Sequence, residues 1–116
     1  MIIGIGVDIV ELNRIKDIIQ NNPKFIDRVL TEKEKAIFMT LGDKRKAEYF
    51  GGRFACKEAF SKAYGTGIGK VQLKDIEVLN EENGRPFVSE SPFEGNVHVS
   101  ISHTDTTAIA QIILEK

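Results

Sequence analysis

The sequence holds a single cysteine, Cys56, in 116 residues. No internal disulfide can form, which fits a reducing compartment, and a cytoplasmic location is the expectation. No apolar run reaches the roughly 18 residues that a transmembrane helix needs. The opening MIIGIGVDIV is short, lacks a basic flank and contains Asp8, which argues against a signal peptide. Charge of one sign is also missing: 16 Lys and Arg stand against 17 Asp and Glu, so no overall basic field directs the chain to nucleic acid. With only His98 and His103 beside the one cysteine, zinc ligands are too few and wrongly spaced. No repeat, low-complexity tract or linker interrupts the chain. What remains is 41% hydrophobic and 28% charged, an ordinary globular composition. Its length suits one core, hence a single domain over 1–116.

Residues 2–10 are β-branched and predict a strand. Ile3, Ile5, Val7 and Ile9 share one face. Gly4, Gly6 and Asp8 share the other, so two glycines clear the surface in front of a carboxylate. A buried Asp needs a partner: either nearby backbone N–H groups, or a cation beside a closely approaching ligand or chain. Residues 11–20 predict a helix with an apolar stripe of Leu12, Ile15, Ile18 and Ile19. A short helical piece follows over 25–30. Thr31 and Glu34 form a capping box opening a third helix to about residue 40. Arg14, Lys16, Lys24 and Arg28 make this region locally basic, either as a solvated surface or as a dock for an acidic protein.

Asp43 is placed to cap a long helix over 44–64. That helix is apolar around much of its circumference, as expected for a central element or one that packs on another subunit. Gly51 and Gly52 inside it imply close packing or a kink. Glu58, Ser61 and Lys62 stand at i, i+3 and i+4 on one face, with Phe54 one turn earlier. They read either as an ordinary Glu–Lys pair or as a site. Gly65, Gly67 and Gly69 follow, where the backbone can end a helix or approach a ligand. A strand is predicted over 71–79, a turn at Asn83-Gly84, and a return strand over 85–88 in which Pro86 takes an edge or first position. Residues 96–102 and 107–114 predict a hairpin. In its second strand Gln111 shares a face with Ile109 and Ile113, which implies a solvent edge or pairing across an interface.

Asp8 and Glu58, carboxylates from distant segments, together suggest one hard cation. Mg²⁺ is commonly held by one or two carboxylates plus substrate phosphates and water. Arg53 and Lys62 complement phosphate, and His103 and Thr104 add donors at the hairpin mouth. The chemistry indicated is Mg²⁺-assisted attack at a phosphate diester or anhydride. Ser102, His103 and Asp105 are sequence neighbours in a turn without a nucleophile-elbow motif and do not make a triad.

Three blocks then carry a resemblance: GIGVDIVEL at 4–12, FACKEAFSKAYGTGIG at 54–69 and HVSISHT at 98–104. In order and spacing they resemble the small phosphopantetheinyl transferases of the holo-acyl-carrier-protein synthase type, across essentially the whole chain. Cys56 replaces an alanine common in that family, a packing change. The resemblance implies an α+β fold with a long central helix, shorter helices and a small, mostly antiparallel sheet. It implies transfer of the 4'-phosphopantetheine group of coenzyme A to a serine of apo acyl carrier protein, releasing adenosine 3',5'-bisphosphate and serving fatty-acid biosynthesis. By position, Asp8 and Glu58 would hold Mg²⁺, and Lys62 would sit on the pyrophosphate as the third catalytic residue. Arg53, Ser61, Lys62, Gly65, Pro86, His103 and Thr104 would line the coenzyme A site. The general base would be Glu58 or a metal-bound water. A homotrimer with sites at subunit junctions is implied, with Gln111 pairing near the threefold axis. Arg14 and Arg28, and Lys24 beside them, would dock the acidic carrier. Two other readings use the same residues: a Mg²⁺-dependent nucleotide pyrophosphate hydrolase, and a non-catalytic trimer that binds coenzyme A or carrier protein.

Overall fold

Strand β1 (Ile2–Glu11) is placed by its glycines. In the computed structural model, which describes residues 1–65 and 71–116, Gly4 and Gly6 face helix α4 (Asp43–Tyr64). A Cβ on Gly6 would lie 1.9 Å from the Ala59 carbonyl oxygen, and one on Gly4 2.1 Å from that of Ala63. Strand and helix therefore meet backbone to backbone, which only glycine allows. The glycine-cleared surface admits a chain, the protein's own. The opposite face, with Ile3, Ile5, Val7 and Ile9, is 50–61% exposed.

Helix α1 (Leu12–Asn21) follows at once and buries Leu12 and Ile15. Helices α2 (Lys24–Val29) and α3 (Glu32–Phe38) follow, the latter opened by the expected Thr31/Glu34 capping box. The cap of α4 differs from expectation: Gly42 is the N-cap, and Asp43 is the first helical residue without a side-chain cap bond. Its charge still lies at the positive end of the helix dipole. Gly51 packs on Leu12 and Gly52 on Ile101, where an added Cβ would come within 2.9 and 3.1 Å. Close packing explains both glycines. Helix α4 ends at Gly65, which has φ 83° and donates its N–H to the Ser61 carbonyl at 3.1 Å. Gly67 and Gly69 lie outside the described residues.

The strand expected over 71–79 is shorter. A 3₁₀ turn, Leu73–Asp75, precedes β2 (Glu77–Asn80). The Asp75 carboxylate accepts from the Gln72 N–H at 2.9 Å, a local bond that competes with extended structure. β3 (Pro86–Glu90) returns after the turn at Gly84, φ 88°, with Pro86 in first position. β4 (Asn96–His103) and β5 (Thr107–Glu115) form the expected hairpin. The three-stranded sheet has the order β1-β5-β4 and is antiparallel throughout, while β2 and β3 form a separate antiparallel pair. The α+β class is as expected. Gln111, on the middle strand, is not at a sheet edge, although its side chain is exposed.

One core joins α4 to the sheet and β2 through Cys56, Phe60, Ile76 and Ile112. The other joins α4 to α1–α3 through Phe50, Leu12, Val29 and Phe38. Cys56 is wholly buried, and burial pushes its thiol up to about 12, so it is a packing residue. Among the described residues no helix is long and apolar enough to cross a membrane.

Candidate active site

The second half of β1 and the last two turns of α4 bring Asp8, Glu58 and Lys62 together. The Lys62 ammonium donates to Asp8 Oδ1 at 3.1 Å and to the Val7 carbonyl at 3.0 Å. Asp8 therefore pairs with Lys62 rather than with backbone N–H groups. Lys62 is not in ion-pair contact with Glu58, so the simple i,i+4 pair does not form. Glu58 is half-buried and lines a cavity of about 410 Å³ with Asp8, Arg14, Phe25 and Phe54. Burial raises its pKa, the Asp8 charge raises it further, and Lys62 opposes both. Phe54 gives Glu58 an apolar neighbour and is fixed by Phe25 edge-on at 5.8 Å and by Phe50 stacked at 6.4 Å.

Two repelling carboxylates at one cavity form a donor set that suits a hard divalent cation completed by substrate oxygens. Two alone do not make a protein-only cage, and among the described residues no third carboxylate, His or Cys joins them.

Arg53, His103, Thr104 and Pro86 lie elsewhere. His103 ends β4, the edge strand opposite β1, and Ala110 of β5 stands between Asp8 and Ile101 in register. Two strand spacings of about 4.8 Å separate these edges. Arg53 and His103 line a second cavity of about 400 Å³ with Arg45, Glu48, Tyr49 and Asn80. Pro86 pairs with Asn80 at its rim. Thr104 shapes the β4–β5 turn, its hydroxyl accepting from the N–H groups of Thr106 and Thr107 at 3.2 and 3.1 Å. One chain thus divides the expected site residues between two cavities.

Ser61 departs from the expectation that it lines a ligand site. It is 2% exposed, and its hydroxyl donates to the Lys57 carbonyl at 3.2 Å. A small hydroxyl residue inside a helix satisfies itself this way.

Four polar residues escaped the sequence reading. Lys57 and Glu34 are both wholly buried and paired at 2.6 Å. Lys57 also donates to the Val29 carbonyl at 2.5 Å, and Glu34 accepts from Thr31 N–H and Val78 N–H, each at 2.8 Å. Burial lowers the Lys57 pKa, and Glu34 opposes that. This network ties the end of α2 and the start of α3 to the helix turn that presents Glu58. Glu34 was legible only as a cap. Asn80 holds the Arg53 guanidinium from β2, and Tyr49 supplies a ring 4.1 Å below it. Burial raises the Tyr49 pKa, with Arg53 opposing. Its hydroxyl has no partner among the described residues, so the ring alone explains its place.

A model of the 4'-phosphopantetheinyl transferase superfamily matches residues 4–113. The chain belongs to this superfamily. It is 62% identical to the holo-[acyl-carrier-protein] synthase of Enterococcus faecalis, over 99% of this chain and 98% of that one. It is 56% identical to that of a Geobacillus species, over 100% and 98%. The crystal structure of the Bacillus anthracis holo-(acyl-carrier-protein) synthase in complex with CoA (3',5'-ADP) superposes with a TM-score of 0.94 at 50% identity, covering 100% of this chain and 98% of that one. The Helicobacter pylori enzyme in complex with coenzyme A gives 0.81 at 32% identity, covering 96% and 99%. Within the superfamily the chain is an enzyme of the holo-[acyl-carrier-protein] synthase type, a phosphopantetheinyl transferase.

Proposed function

We propose that this chain, as a single transferase domain, moves the 4'-phosphopantetheine group of coenzyme A to a serine of apo acyl carrier protein. The reaction is Mg²⁺-dependent, releases adenosine 3',5'-bisphosphate, and serves fatty-acid biosynthesis in the cytoplasm. The observation that carries this reading is the convergence of Asp8, Glu58 and Lys62 on one cavity edge. The coenzyme A bound to the Bacillus anthracis and Helicobacter pylori relatives supports the substrate.

Asp8 and Glu58 are the residues that would hold Mg²⁺. When bound, the ion supplies charge neutralisation at the pyrophosphate. The chain's own groups do the rest. Lys62 is anchored by Asp8 and the Val7 carbonyl, which presents its ammonium to the leaving phosphate. Glu58, on the same cavity wall, is placed as the candidate proton acceptor for the serine hydroxyl. Phe25, Phe54 and Ile18 give the same cavity apolar walls, which keep water from competing with serine.

The active form is a homotrimer with each site at a subunit junction. Ile3, Ile5, Val7 and Ile9 form an exposed apolar face on an edge strand, which a soluble monomer rarely leaves bare. The division of site residues between two cavities supports the same reading: one subunit's Asp8 and Glu58 then meet another's Arg53 and His103. Arg14 stands at the first cavity, and Arg28 and Lys24 are exposed on α2. These three dock the acidic carrier.

The test is intact mass of an apo acyl carrier protein after incubation with this protein, coenzyme A and Mg²⁺. A gain of one phosphopantetheine arm, abolished by chelator and by Glu58→Ala, is expected. No gain with coenzyme A consumed indicates a hydrolase. No gain with coenzyme A intact across several carriers indicates a binding module. Either overturns the proposal.

A further inference from the structure

We propose that Lys57 and Glu34 are positioning residues: their buried pair holds helix α2 against α4, so that the carrier-docking face of α2 stands in a fixed relation to Glu58. This rests on the carrier-docking reading above. Both residues are 0% exposed and act through the backbone they hold.

Helix α2 needs such a hold. It has six residues, Lys24–Val29, and no side-chain bond at its N-cap, Pro23. A helix this short does not persist on its own propensity, and its last carbonyls have no partner within the helix. The Val29 carbonyl is one of them, and it accepts from the Lys57 ammonium at 2.5 Å. A cation there also meets the negative end of the helix dipole. Glu34 Oε1 holds the same ammonium at 2.6 Å. The Glu34 carboxylate in turn accepts from the N–H groups of Thr31 and Val78, each at 2.8 Å. One buried pair therefore fastens the end of α2, the start of α3 and strand β2 to α4.

What α2 carries makes this hold a matter of function. Phe25 lines the Glu58 cavity and meets Phe54 and Phe50 edge-on at 5.8 and 6.2 Å. Lys24 and Arg28 are exposed on the same short helix. At the other end of the bond chain, Lys57 directly precedes Glu58. Well-packed apolar residues of similar volume would give comparable stability without the cost of desolvating two charges. Apolar contacts have no direction, whereas hydrogen bonds from one ammonium fix both distance and angle. Geometry, more than stability, accounts for a charge pair at this place.

The experiment compares the wild type with Lys57→Met/Glu34→Gln and with Glu34→Gln alone. The double variant removes both charges together, so neither is left buried without its partner. Calorimetry with Mg²⁺ present gives the affinities for coenzyme A and for an apo acyl carrier protein, and thermal melts run in parallel. The double variant should melt above Lys57→Met, bind coenzyme A within about twofold of the wild type, and bind the carrier about tenfold more weakly. Hydrogen exchange at the Leu30 N–H, which bonds to the Ile26 carbonyl at 2.9 Å, should quicken relative to the amides of α4. Glu34→Gln alone keeps the Lys57–Val29 bond and should weaken the carrier by less, about threefold. Wild-type carrier affinity in the folded double variant overturns the inference. So does an equal loss for both ligands, which is what a merely structural role gives. If the double variant does not fold, Glu34→Gln decides by the same split, and if neither folds the inference falls. A wild type that binds the carrier but transfers nothing to it overturns the transferase reading and leaves this inference standing. One that binds no carrier overturns both.

Discussion

Glu58 shows how a proposed catalytic residue works against the fold. Burial first, then the Asp8 charge, raise its pKa above 4.5, with Lys62 opposing. Folding therefore takes up a proton between 4.5 and the folded value, and wild-type stability falls as pH rises through that window. Glu58→Gln removes the titration. Its melting temperature should exceed that of the wild type at neutral pH and converge with it below about pH 4, while phosphopantetheine transfer is lost. Thermal melts across pH check this, and an offset constant at every pH overturns it. Lys57, one position earlier, has the opposite character. Both it and Glu34 are 0% exposed, so Lys57→Met leaves a buried carboxylate without its cation. The expected loss is about 3–5 kcal/mol, read from the urea midpoint.

At the scale of elements, the contact between β1 and α4 is the least forgiving. Gly6→Ala would drive a Cβ to 1.9 Å from a helix carbonyl oxygen, which is backbone and cannot rotate away. The variant should lose more than about 3 kcal/mol or fail to accumulate as folded protein. Gly42→Ala is the control: nothing lies within 4 Å of its would-be Cβ and its φ is −75°, so its cost should be confined to the poorer N-cap, about 1 kcal/mol or less. This packing also shows how much was legible. The alternation of 2–10, the capping box, the hairpin and the long helix all follow from local pattern. The strand over 71–79 is shortened to Glu77–Asn80, because the Asp75–Gln72 bond favours a turn ahead of it. The N-cap moved to Gly42, since Asp43 takes helical geometry as the first residue of α4.

At the scale of the molecule, the outer sheet face decides activity if the sites are shared between subunits. Ile5 and Ile9 are 60% and 61% exposed on an edge strand. Ile5→Lys combined with Ile9→Lys should sediment as a monomer, remain folded and lose transfer activity. A trimeric or fully active double variant overturns the shared site. A monodisperse, trimeric Gln111→Leu variant would count against pairing of Gln111 near a threefold axis. Arg14, exposed at the mouth of the Glu58 cavity, should act in carrier docking. Arg14→Glu is expected to raise KM for the carrier about tenfold with KM for coenzyme A little changed. Equal effects on both substrates overturn that role.

The sequence by itself determined the elements, the family blocks and the carboxylates Asp8 and Glu58, because strand and helix periods fix which residues share a face. It could not say what each face meets. Lys57 carried no reading and Glu34 read only as a cap, and only the packing of α3 on α4 and β2 makes them a buried pair. Arg53 read as one more phosphate ligand beside Lys62. The structure turned it toward β2, onto Asn80 and Tyr49, in a different cavity from Glu58. Arg53 and Glu58 are five positions apart on a helix of 3.6 residues per turn, so they leave the axis in different directions. Burial and ion pairing across tens of residues depend on which surfaces meet, and those contacts exist only once the chain has folded.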